Sequence, residues 1–221
     1  MAVDVLDQLT HFIHLVLGFG AAGAAVVALV VRKGGKWHRW AGWAFTGGMV
    51  VAAVTAWGFM IERPLPLAMV SATLTLYGLC MALLALNPHW RGARGWEWAL
   101  FALLLLVLLG MLATAVNLYR AGSGLFPAPL AMFAVISVFA VLDWRFLHLD
   151  RPTWIDRVRR HSLRMALVLA QAIMAPTIIV APDIGVPVPV IVFGSLLLTV
   201  AIHFALAPQA RRAAGRLAEA A

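Results

Sequence analysis

The sequence predicts an all-α membrane protein: a single bundle of seven transmembrane helices, with the N-terminus outside and the C-terminus in the cytoplasm. Three observations carry this reading. The 221 residues are 63% hydrophobic and only 12% charged, where soluble domains run near 45–50% apolar and about 25% charged. Mean hydropathy is +0.94. The apolar residues gather into runs long enough to cross a bilayer, which takes about 20 residues for roughly 30 Å of hydrocarbon. The basic residues fall between those runs in a pattern that alternates sides.

The first run, at about 9–31, follows a start that carries Asp4 and Asp7 and no positive charge. A signal peptide opens on a basic region and ends at a small-residue cleavage site, so this segment is expected to be a retained first helix. The second run spans about 41–61 and the third about 65–86, separated by Pro64 and Pro66. Cys80 lies in the third run as the sole cysteine, which excludes an internal disulfide and argues against a cysteine-based metal cluster. The fourth run, about 97–119, follows Pro88; the fifth, about 127–147, opens on Pro127. The sixth, about 162–181, contains Pro176, and the seventh, about 185–207, follows Pro182. The whole chain, residues 1–221, reads as one membrane domain with no room for a separate soluble one.

Seven crossings place the loops alternately. Of the 17 Lys and Arg, all but Arg63 and Arg120 then fall on one side. Short loops rich in Lys and Arg stay cytoplasmic, which sets the orientation and the expected location, a bacterial inner (plasma) membrane. Trp37, Trp40, Trp43, Trp90, Trp96, Trp98, Trp144 and Trp154 fall at the same inner ends. An indole suits the interface because its ring is apolar while its N–H wants a partner. The stretch KGGKWHRWAGW (33–43) is therefore an inner-surface loop, and NPHWRGARGWEW (87–98) shares its composition for the same reason. A net charge of +8 does not point to nucleic acid, because the cations are spread over short loops and form no patch on a soluble module.

Several helix faces carry polar groups. His38, Gly42, Phe45 and Met49 share one face of the second helix; His161, Arg164, Met165 and Val168 share one face of the sixth, with Gln171 deeper. Gly42, Gly47 and Gly48 would let a neighbouring backbone come close. Asp7, His11 and His14 line the start of the first helix, a carboxylate and two imidazoles that form a candidate metal site if another helix adds a ligand. Five of the seven histidines (His38, His89, His148, His161 and His203) cluster at the inner side. Of these, His38, His161, His203 and His148 are candidate ligands of haem b or another cofactor, since haem iron in helix bundles takes axial imidazoles. His38 and His161, at the same depth, are expected to meet if the second and sixth helices are neighbours. Asp143 has Arg145 and His148 near it in sequence, and Glu97 opens the fourth helix, where a carboxylate suits the positive end. Such carboxylates can form a proton relay, but an ion pair with an arginine is the commoner outcome.

Two classes are excluded. A retinal protein needs a lysine within a helix, and the two lysines, Lys33 and Lys36, lie in a loop. No GxxxxGK[ST] motif occurs, and GFGAAG (18–23) sits in a membrane run, where its glycines serve packing.

The pattern HxxxG (His14, Gly18), then KGGxxHRxxGxxFxxxM (Lys33, Gly34, Gly35, His38, Arg39, Gly42, Phe45, Met49), then HxxRM (His161, Arg164, Met165) resembles a widespread family of uncharacterised bacterial polytopic membrane proteins, a domain of unknown function. The motifs touch three of the seven runs. The resemblance implies an inner-membrane protein of this architecture and brings no activity with it.

Three functions are carried forward. The first is a non-enzymatic inner-membrane protein, free-standing or an accessory subunit held by other membrane subunits and the lipid bilayer. The second is a b-type haem or quinone-linked redox protein using the inner histidines. The third is a small transporter with the Pro-containing sixth helix lining its path.

Overall fold

Apolar runs broken by Gly, Pro and charged turns give seven α-helices in the structure, a computed structural model that describes residues 2–62, 66–180, 183 and 185–219. They are α1 (Ala2–Val30), α2 (Lys36–Glu62), α3 (Pro66–Leu86), α4 (Ala93–Arg120), α5 (Pro127–Leu147), α6 (Trp154–Val180) and α7 (Val188–Glu219). Among the described residues there is no strand.

Six of the seven, all but α6, contain a stretch long and apolar enough to cross a membrane. The charge-free part of α6, from Met165 to Val180, is shorter than the roughly 20 residues a crossing needs. Its N-terminal half carries Arg157, Arg159, Arg160 and Arg164. The helix begins at Trp154, ahead of the predicted run, because a capping box starts it there. Thr153 Oγ1 accepts the Asp156 N–H at 3.2 Å, while Asp156 Oδ2 accepts the Thr153 N–H at 2.9 Å. At the other end, α7 continues through Pro208 to Glu219, past the predicted limit.

Contacts divide the chain within α3 into two units, Met1–Leu79 and Cys80–Ala221. In the first, α1 and α2 form an antiparallel hairpin. Its turn uses Gly34 at φ +77°, a left-handed conformation that a Cβ would strain. Lys33 Nζ closes α1 by donating to the carbonyls of Ala28 and Leu29 at 2.7 and 2.5 Å, a cation on the negative end of the helix. Burial pushes this ammonium below its ordinary pKa. The helices touch at Gly48, where a Cβ would lie 2.8 Å from Ala21 Cβ and 3.0 Å from the Leu17 carbonyl. Gly42 and Gly47 face open space, so one of the three expected close-approach glycines fills that role.

In the second unit α4 pairs with α5, α6 pairs with α7, and α7 also packs on α5. Val135 and Phe139 of α5 meet Leu167 of α6, with Leu163 against them.

The distribution of polarity is inverted relative to a soluble bundle. Phe12, Phe19, Leu106, Leu109, Leu197 and Phe204 are all exposed, while Asp143, Arg160, Arg164 and Gln171 are buried. A soluble monomer does not leave so much contiguous apolar surface open, so lipid is the fitting solvent. Trp37, Trp40, Trp43, Trp96 and Trp144 project outward near helix ends, as interfacial anchors do. Thr46, Thr75, Ser137 and Thr199 donate back to the carbonyl one turn earlier at 2.8–2.9 Å, so these hydroxyls need no water inside the bilayer.

Candidate functional site

The inward face of α6 repeats at helical spacing through Arg160, Arg164, Leu167 and Gln171, all buried. A guanidinium at such a place must find its counter-charge inside the protein, because a lone buried ion costs several kcal/mol (roughly). The partners come from α4 and α5. Arg160 Nε donates to Asp143 Oδ1 at 3.1 Å, and its Nη1 forms a close ion pair with Glu97 Oε1. Arg164 Nη2 meets the same Asp143 oxygen at 2.6 Å and also donates to the Phe139 carbonyl at 3.3 Å. Each guanidinium stacks on a ring of α5: Arg160 over Phe146 at 4.0 Å and Arg164 over Phe139 at 4.7 Å. Delocalised guanidiniums suit this combination of forked donation and stacking. Arg94 completes the set from the surface, 3.6 Å from Glu97 Oε2, with its Nη2 on the Leu147 carbonyl.

The expected arginine partner of Asp143 is therefore found on α6. Arg145 is exposed, and His148 bonds its own helix, Nδ1 to the Trp144 carbonyl at 2.8 Å. Glu97, expected to serve the start of α4, is buried and bonded to Arg160. Sequence reading assigned Arg160 and Arg164 to the basic side and missed their counter-ions. The available signal was the i, i+4 arginine pair continuing into the apolar face through Leu167 and Gln171.

The candidate histidines are dispersed over both units. His38 Nδ1 lies 3.1 Å from the Ala28 carbonyl, and His161 Nδ1 lies 3.1 Å from the Ala82 carbonyl. His38 belongs to the first unit and His161 to the second, each bonded to a carbonyl within its own. His148 leans on the Trp144 ring at 4.0 Å, and His203 has its Nδ1 buried with no hydrogen-bond partner among the described residues. Phe45 and Met49 on the His38 face are buried, as are Arg164 and Val168 on the His161 face.

Of the metal candidates, the Asp7 side chain lies outside the described residues. His11 stacks on Phe59 at 4.0 Å, and His14 Nδ1 sits 2.9 Å from Thr55 Oγ1. The Thr55 hydroxyl also lies 2.8 Å from the Val51 carbonyl and 3.1 Å from that of Ala52. Among the described residues, no group of three or more His, Cys, Asp and Glu is placed to hold a metal ion.

No family model matches the chain, and no curated protein or solved structure matches it either.

Proposed function

We propose that this chain is a non-enzymatic multi-pass protein of the bacterial inner membrane, one domain crossing seven times with the N-terminus out, either free-standing or an accessory subunit of a larger assembly. The resemblance of the His38 and His161 motifs to the uncharacterised polytopic family supports this reading. The observation carrying the reading is the pairing of Asp143 and Glu97 with the guanidiniums of α6. Both carboxylates are committed to guanidiniums as their counter-ions. They neutralise α6 well enough to seat it in the bundle as the seventh crossing. Their role is to hold a helix, which suits a structural or binding protein better than a catalyst.

The test is topology. Reporter fusions after residues 35, 92, 155 and 215 read cytoplasmic, and those near 64, 123 and 184 read periplasmic. A cytoplasmic signal at 184 would leave α6 on one side of the membrane and remove the seventh crossing.

One observation favours a second reading, a small transporter. Gln171 is 1% exposed, and its Oε1 has no hydrogen-bond partner among the described residues. One turn further on, Met174 Sδ lies 3.3 Å from Ser195 Oγ of α7, and Pro176 interrupts the ladder of α6. Polar groups at a broken helix are where transporters bind their substrates. Uptake by vesicles carrying Gln171→Leu protein, compared with wild type, would separate the two readings.

A further inference from the structure

Beside the ion network, in the second unit, lies an open cavity of about 450 Å3, within the range of small-molecule sites. Its walls come from the start of α4 (Arg94, Glu97), the end of α5 (Phe146, His148), the following turn (Asp150) and the start of α6 (Arg157). Counted formally the groups around it balance, Arg94, Arg157, Arg160 and Arg164 against Glu97, Asp143, Asp150 and Asp156, but the carboxylates are shared unevenly. Both Glu97 oxygens are engaged, by Arg160 and Arg94, and Asp143 is engaged by Arg160 and Arg164. Asp156 Oδ2 is held by the Thr153 backbone and hydroxyl, at 2.9 and 2.7 Å. Among the described residues, Arg157 then has one long hydrogen bond, 3.5 Å to the Ala85 carbonyl. Arg94 has a half share in a carboxylate already bonded elsewhere. Asp150, exposed at the rim, is the remaining anion of the lining.

Burial lowers the pKa of Arg157; Glu97 and Asp156 oppose the shift, and Arg160 and Arg94 add to it. Such a cation gains from an anion brought in from outside. The forked donors of two arginines match the oxygens of a phosphate. The depth fits as well. Trp98 and Trp144, in edge-to-face contact at 6.2 Å, stand at the same ends of α4 and α5, and indoles mark the level of lipid headgroups. Basic pockets between transmembrane helices on the cytoplasmic side bind such headgroups.

We propose that the cavity bounded by Arg94, His148 and Arg157 is a binding site for a phosphate ester, carried either by a phospholipid headgroup or by a soluble ligand. The proposal needs the membrane setting but not seven crossings, so an inverted fusion at 184 would leave it standing.

The test is a thermal-shift titration of delipidated full-length protein in mild detergent with phosphatidylglycerol, diacylglycerol or inorganic phosphate. A saturable rise with phosphatidylglycerol and none with diacylglycerol is expected. Arg157→Gln should weaken it at least tenfold, while Arg157→Lys, keeping charge but losing the fork, falls between. Loss on Arg159→Gln, an exposed charge outside the cavity, would mean unspecific attraction and overturn the site. If inorganic phosphate reproduces both the rise and its Arg157 dependence, the phosphate site stands with a soluble ligand as its source. Equal responses to diacylglycerol and phosphatidylglycerol, or no response to any of the three, overturn the proposal. Should Arg157→Gln fail to fold, Arg94→Gln takes its place, and native mass spectrometry of wild-type protein gives an independent reading. Co-purified phospholipid supports the site, and a lipid-free spectrum after gentle extraction counts against it.

Discussion

Replacing Asp143 by asparagine keeps the shape of the side chain and removes the charge shared by two guanidiniums. Asp143 is 0% exposed, and its Oδ1 receives Arg160 Nε at 3.1 Å and Arg164 Nη2 at 2.6 Å. Arg160 keeps Glu97 after the change, while Arg164, at 1% exposure, loses the carboxylate that its Nη2 meets. Breaking a buried pair from one side costs about 3–5 kcal/mol. For a chain of this size that is a fall of roughly 6–20 °C in melting temperature at about 2–4 °C per kcal/mol. Arg160→Met should cost less, about 1–3 kcal/mol, because Asp143 then keeps Arg164 and Glu97 keeps Arg94. Adding Arg164→Met to Asp143→Asn removes the buried cation along with its carboxylate and should restore part of the loss, since apolar replacements of buried pairs are often neutral. The assay is thermal unfolding in detergent, with Arg145→Gln as the sequence-adjacent control. If Asp143→Asn melts with wild type, or Arg145→Gln falls as far, the network does not hold α6.

Gly48→Ala should destabilise by about 1–3 kcal/mol, the cost of overpacking, because its methyl group meets Ala21. Gly47→Ala, with open space around it, should be neutral or gain up to about 1 kcal/mol of helix propensity, and comparison of the two melting curves checks both. His38→Ala should lose about 1–2 kcal/mol with its bond to the Ala28 carbonyl. Wild-type protein in mild detergent should be colourless in visible absorption; a Soret band that vanishes with His38→Ala would instead establish the redox reading.

Hydropathy was enough to find the helices because lipid selects on summed apolarity, a property each segment carries by itself. The fifth run coincides with α5 at Pro127–Leu147 for that reason. The start of α6 was less legible, since its first turns are charged and hydropathy discards them, although the Thr153 and Asp156 cap was present in the sequence. Side-chain partnerships lie beyond hydropathy altogether. Asp143 and Arg145 are neighbours in the chain but point to different faces of α5, whereas Arg160 reaches Asp143 from another helix. Among the glycines, composition identified a stripe of small residues, and only the crossing of α1 and α2 singles out Gly48.

The order of the network along the chain bears on biogenesis. Glu97 and Asp143 precede Arg160 and Arg164 in the sequence, so the anions leave the ribosome first. An arginine at the centre of an isolated helix disfavours insertion by about 2.5–3.5 kcal/mol on the translocon scale. When α6 emerges, α4 and α5 have already been made and carry the carboxylates it needs. On the seven-crossing reading proposed above, the insertion machinery is offered a charged segment together with its own neutralising surface, and the helix least able to enter lipid alone is received by protein.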